Sequence, residues 1–149
     1  MKPGKIRALA LALILHEGAV LAQEGYDPSK HGSFLRLPGG GIEFGETGAA
    51  AVAREMREEI TAELADVRYV ATLENIFTFD GKPGHEICLI YAARLLDPAL
   101  TWRERIIGHD TSGAEIPMRW APLAALDTLP IYPDGVLDLI RLMLARAAD

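Results

Sequence analysis

Glu55, Glu58 and Glu59 fall within about one turn of a stretch reading Arg54-Glu55-Met56-Arg57-Glu58-Glu59. At roughly 100° per residue, a helix sets Glu59 about 40° from Glu55 and Glu58 about 60° away on the other side. Three carboxylates then share one face, and like charges at that spacing repel unless a cation sits among them. An all-oxygen donor set suits a hard divalent ion, Mg²⁺ (or Mn²⁺). Met56, Ile60, Ala53 and Ala49 cluster on a different face, which is expected to pack on a sheet. The turn Pro38-Gly39-Gly40-Gly41 precedes this helix and lets backbone approach a metal or a phosphate without obstruction by Cβ. No Walker-type G-x4-G-K-[ST] run is present, so the glycines do not form a P-loop.

Taken together, Gly40 to Ala62 resembles the Nudix box, G-x5-E-x7-R-E-U-x-E-E-x-G-U with U aliphatic. Gly40, Glu46, Arg54-Glu55, Met56 and Glu58-Glu59 fill its positions. Thr61 stands where the pattern has glycine, and Ala62 is a weak final aliphatic. The departure bears on the helix exit, which a glycine would ease, more than on the chemistry.

The resemblance implies the Nudix fold, an α+β architecture in which a mixed sheet lies between helices as an α/β/α sandwich. It implies hydrolysis, with a divalent metal, of the pyrophosphate linkage in a small nucleoside diphosphate-X compound: a (d)NTP, an oxidised nucleotide or a nucleotide sugar. Glu55 and Glu59 are the first expected metal ligands, with Glu58 a further one and the Gly40 carbonyl a fourth. Arg54 is expected to project off the metal face and tie the helix to Glu46, orienting the loop. The general base stays open among Glu58, Glu59, Glu86, Glu74 and Glu115. Outside the box Glu86 is preferred, as a residue beginning a strand after a turn. Gly39, Gly41 and Phe79 are candidates for substrate contact, and Phe34, Phe77, Trp102 or Tyr132 could also stack on a base. Glu74–Phe79 carries neither the proline nor the tyrosine that marks certain subfamilies, so the nucleotide stays open.

Two other functions compete. A nucleotide-sensing module of the same fold would bind without turnover, but it has no need to keep Glu55, Glu58 and Glu59. RNA cap removal would call for a basic stripe, and the formal charge is −6. That charge also disfavours a nucleic-acid polymer or an anionic membrane as partner, without disfavouring a small anionic substrate beside a metal. A homodimer is an expectation from the family alone.

The 149 residues suit one Nudix hydrolase domain over 1–149. Half the residues are hydrophobic and 24% are charged, as in a globular protein. The single cysteine, Cys88, lies in the strand-like run Glu86–Tyr91 and reads as a buried structural thiol, consistent with a reducing cytoplasm. Lys2, Lys5 and Arg7 ahead of Ala8–Leu15, with Val20-Leu21-Ala22 beyond, imitate a secretory signal. The apolar run is short and broken by His16-Glu17-Gly18, which better suits a hairpin turn between two strands of the domain.

Along the chain, strands are expected at Arg7–Leu15, Ala19–Gln23 and Phe34–Leu37, with a polar loop at Tyr26–Ser33. A helix follows at Gly48–Thr61. Val67–Asp80 and Glu86–Leu95 should form a hairpin about Gly81-Lys82-Pro83-Gly84. Ile107–Glu115 reads as a mobile loop, Met118–Pro122 as a short strand anchored by Trp120, and Leu123–Leu126 as a helical turn. Asp134–Ala147 is an amphipathic helix whose Val136, Leu137, Ile140 and Leu144 share a face.

Overall fold

The Ala8–Leu15 run is apolar on both sides because the strand it forms is buried on both faces. In a computed structural model that describes residues 4–147, β1 (Ile6–Leu13) lies inside a sheet. Leu9, Leu11 and Leu13 enter one core, while Ala10 and Ala12 enter another on the opposite side. The central strand of a covered, partly parallel sheet reads as continuous hydrophobicity for this reason. Lys2 lies outside the described residues, as do both ends of the 1–149 span.

The chain continues through β2 (Leu15–His16), β3 (Ala19–Asp27), β4 (Gly32–Arg36), β5 (Gly39–Gly41) and α1 (Gly48–Ile60). After these come β6 (Leu64–Phe79), β7 (Lys82–Leu95), a 3₁₀ turn (Pro98–Trp102), β8 (Arg105–His109) and β9 (Glu115–Pro122). A second 3₁₀ turn (Leu123–Asp127), β10 (Ile131–Tyr132) and α2 (Val136–Ala147) complete the order. One sheet runs β5-β1-β7-β6, with β1 and β7 parallel and the other pairs antiparallel. The other runs β10-β4-β3-β9-β8, with β10 parallel to β4. Helix α1 covers one core through Ala51, Val52 and Met56, and α2 covers the other through Val136 and Ile140. This is the α+β arrangement of a mixed sheet between helices.

Several elements differ from the sequence reading, each for a local reason. Ile107–Glu115 is not a loop: β8 and β9 pair from Arg105↔Arg119 to His109↔Glu115. The Asp110 carboxylate accepts the N–H groups of Ser112 (2.8 Å) and Ala114 (3.0 Å) and closes the turn between them. β8 also packs on the end of α1, where a Cβ on Gly108 would stand 2.6 Å from the Glu59 carbonyl oxygen. The β6–β7 turn comes earlier than expected, at Asp80-Gly81, whose φ values of 48° and 76° are those of a two-residue type I′ turn. Much of the supposed loop Tyr26–Ser33 is strand, because β3 and β4 pair out to Asp27↔Gly32. Trp120 does anchor β9, its Nε1 donating to the Leu100 carbonyl at 3.1 Å.

Candidate active site

Of the α1 carboxylates, Glu59 does not stand apart from the packing face but lies along it. Ala49, expected in the packed stripe, is exposed, and the buried positions are Ala51, Val52 and Met56. Glu59 projects within about 20° of Val52 on a helical wheel, so it is carried into the interior. The helix begins with Thr47 as its cap, Oγ1 accepting the Ala50 N–H at 3.1 Å. It ends on Thr61 in the left-handed region (φ 55°, ψ 36°), the conformation that a glycine would take without strain. The exit geometry of the box is kept despite the substitution.

At Gly40 the glycine turn meets the helix. A Cβ there would lie 2.5 Å from the Glu55 carboxyl carbon, so the Glu55 carboxylate rests directly against the backbone of β5. Glu59 Oε2 is buried and has no hydrogen-bond partner among the described residues. Its carboxyl is pushed well above the usual carboxylate range, by burial first, then by the charge of Glu55 and a hydrogen bond to it; the charge of Arg36 opposes this. Glu58 is exposed.

Arg54 gathers this cluster. Its Nε and Nη2 donate to the two oxygens of Glu46 at 2.8 and 2.9 Å. Nη2 also donates to the Gly41 carbonyl at 3.0 Å. Glu46 is thereby held down to about 2, the Arg54 hydrogen bond acting first and the Glu43 N–H next. The reading of Arg54 as lying off the carboxylate face needs amending, because Nη1 donates to Glu55 Oε1 at 3.0 Å and to Glu58 Oε2 at 3.2 Å. No three His, Cys, Asp or Glu side chains among the described residues are closed into a cation cage. Two of the carboxylates lean on Arg54 instead.

The residues nonetheless fit a hard divalent ion. The orphaned Glu59 oxygen, the Glu55 carboxylate seated in the Gly40 crevice and exposed Glu58 offer oxygen donors alone. A cation would give the Glu59 oxygen a partner and add to the opposing charge of Arg36.

A cavity of about 500 Å³ opens between the two sheets. One wall carries Arg7, Asn75 and Glu86, and the other carries Gln23, Phe34 and Arg36. Phe34 meets Phe79 and Tyr132 edge to face, at 6.0 and 5.7 Å between ring centroids. Phe77 also lines the space, whereas Trp102 is exposed and forms no part of the wall. Phe79 is therefore at a ligand-sized opening. Gly39 and Gly41 are instead paired with Leu11 and Leu9 of β1, on no wall of the cavity.

Glu86 sits within β7 rather than beginning a strand, and it is buried, 6% exposed. Its Oε1 accepts from Asn75 Nδ2 at 3.3 Å, and Oε2 lies 3.6 Å from Arg7 Nη1. Glu74 and Glu115 are exposed, on β6 and β9. Cys88, behind Glu86, is fully buried, and burial with the Glu86 charge pushes its thiol up to about 11, so it is no nucleophile. Sequence reasoning passed over Arg36 and Asn75. The only available signal was a charged or amide residue inside an apolar strand pattern.

A family model described as NUDIX domain matches residues 5–140. Among solved structures, the chain is similar to the solution structure of the E. coli ORF135 protein at 23% identity, covering 97% of this chain and 94% of that one, with a TM-score of 0.58. It is similar to a NUDIX hydrolase from Nitrosomonas europaea at 14% identity, covering 96% and 90%, with a TM-score of 0.65. A crystal structure of an ADP compounds hydrolase aligns at 16% identity over 97% of this chain and 76% of that one, with a TM-score of 0.64. At these identities the structural likenesses carry the fold alone. Among the described residues, no helix is long and apolar enough to cross a membrane.

Proposed function

The chain belongs to the NUDIX family, and from that membership we propose that it hydrolyses the pyrophosphate linkage of a small nucleoside diphosphate-X compound with Mg²⁺ (or Mn²⁺) as cofactor. The observation that carries this reading is the buried, unpartnered Glu59 oxygen beside Glu55, at the foot of the glycine turn. Glu55, Glu58 and Glu59, with the Gly40 carbonyl, would hold the metal. When bound, such an ion polarises phosphoryl oxygens and lowers the pKa of water.

The chain's own residues do the rest. A water attacks one phosphorus and its proton passes to a carboxylate of Glu58 or Glu59. The bond from that phosphorus to the bridging oxygen breaks, and the bridging oxygen leaves with the electron pair on the other phosphate. Glu46 and Arg54 keep Glu55 and the Gly41 carbonyl in register through two-pronged hydrogen bonding. Phe79, with Phe34 and Tyr132, offers ring surface to the nucleoside. Glu86 lies on that nucleoside cavity, so the base is assigned to α1 and Glu86 to ligand contact.

Phosphate and pyrophosphate release over a nucleotide panel with Mg²⁺, with Glu59→Gln as blank, tests the reading. Pyrophosphate from a (d)NTP supports the triphosphate branch, and two monophosphates from a nucleotide sugar support the diphosphate-X branch. Binding with no turnover on any compound would replace it with the sensing module.

A further inference from the structure

Most charged groups around the cavity are already spent on one another. Arg105 reaches Glu24 at 2.6 Å. Asp27 takes the N–H and Oγ of Ser29, both at 3.0 Å, and the Asp80 N–H at 3.1 Å. Lys30 is held between Asp27 at 3.8 Å and the Thr78 carbonyl at 2.8 Å. Two groups keep capacity for a ligand, one on each wall. Arg36 forms no close ion pair among the described residues, although its charge acts on the Glu59 carboxyl, and it lines the cavity. Glu86 accepts one long hydrogen bond from Asn75 and pairs with exposed Arg7 at 3.6 Å, which still leaves acceptor capacity on a carboxylate 6% exposed. Asn75 is committed elsewhere: its Oδ1 accepts the Asp134 N–H at 3.2 Å, which fixes its Nδ2 toward Glu86.

The opening between these walls is edged by the rings of Phe34, Phe79 and Tyr132 and suits a flat heterocycle. Its polar demands are opposite on the two sides: Arg36 only donates and Glu86 only accepts. A guanine ring satisfies both in full. Its O6 and N7 are adjacent acceptors for a guanidinium, and its N1–H and 2-amino group are adjacent donors for a carboxylate. Adenine sets an amino donor beside N7 and repels a two-pronged guanidinium. Hypoxanthine lacks the 2-amino donor, and 8-oxoguanine carries a proton on N7.

Resting on the hydrolase reading for the phosphates, we propose that Arg36 and Glu86 select the base, making the protein specific for unoxidised guanine nucleotides. Arg36 takes the O6/N7 edge and Glu86 the N1/N2 edge, with Asn75 as the positioning residue that orients Glu86.

The test is calorimetric titration of the protein in EDTA with dGTP, 7-deaza-dGTP, 8-oxo-dGTP, dITP and dATP, followed by KM for the same series with Mg²⁺. The wild type should bind dGTP roughly 5- to 100-fold more tightly than each of the others. Arg36→Gln should level dGTP with 7-deaza-dGTP while leaving the preference over dITP. Glu86→Gln should do the reverse. Equal affinities across the wild-type series, or tighter binding of 8-oxo-dGTP, would overturn the assignment whether or not the variants fold. So would substitutions that weaken every nucleotide alike, since that pattern belongs to a phosphate clamp. Guanine selectivity in binding with no turnover leaves this inference standing and removes the hydrolase reading; turnover without base preference does the opposite.

Discussion

The Glu55 carboxylate occupies the space that a Cβ on residue 40 would need, 2.5 Å from where that atom would stand. The glycine of the turn and the first carboxylate of the helix are thus one steric unit, which ties the loop's composition to the position of a metal-ligand candidate.

Gly40→Ala is expected to push Glu55 off β5 and cost turnover about 100-fold, the scale of an ångström-sized misplacement at a reacting centre. Stability should fall by only about 1–3 kcal/mol through overpacking. Steady-state rates and thermal melts on one preparation measure both, and an alanine variant with the parent's rate would separate Gly40 from Glu55.

A divalent ion at 100 times its Kd should stabilise the fold by about 2.7 kcal/mol. For a chain of this size that raises Tm by roughly 5–10 °C. Glu59→Gln should lose most of that shift along with turnover. The melt needs no substrate, so an unchanged Mg²⁺- or Mn²⁺-dependent shift in the variant would count directly against Glu59 as a ligand.

Thr61 holds a left-handed conformation that costs a residue with Cβ roughly 1–2 kcal/mol. Thr61→Gly should therefore stabilise the protein by about 1 kcal/mol, with turnover unchanged because the exit geometry is already in place. Chemical denaturation midpoints at constant m-value would show it. A destabilised variant would mean that the Thr61 side chain contributes more than its backbone costs.

Glu46 is lowered from 4.5 to about 2 in the folded chain, chiefly by its hydrogen bond from Arg54. A depressed folded value means that stability from this pair is complete above about pH 4.5 and drains away as pH falls toward 2. In EDTA, the wild-type Tm should drop more steeply over that window than the Tm of Glu46→Gln. Asp27 and Asp110 are lowered too and act in both proteins, so the difference between the curves isolates Glu46. Parallel curves would contradict the assignment.

Deleting the chain through Gln23 removes β1, whose two faces serve both cores, and should abolish cooperative melting. A soluble truncation product with a sharp melt would instead favour the signal-segment reading.

What the sequence determined by itself is what short-range spacing controls. Glu55 and Glu59 meet because they are four residues apart on a helix, and Gly40 arrives beside them through a short loop closed by Glu46 and Arg54. The hairpin at Glu17-Gly18 and the amphipathic face of α2 are equally local, since turn chemistry and a 3.6-residue period are written in adjacent residues. Tertiary structure decided what depends on partners distant in the chain. β8 closes on the last turn of α1, with Gly108 against the Glu59 backbone carbonyl, although its sequence reads as a loop until the Asp110 turn pairs it with β9. Arg36 and Glu86 face one cavity only because β4 and β7 belong to different sheets that part at that point. Alternation along a strand tells which residues share a side, but which distant side chain stands across from them is set by how the two sheets pack.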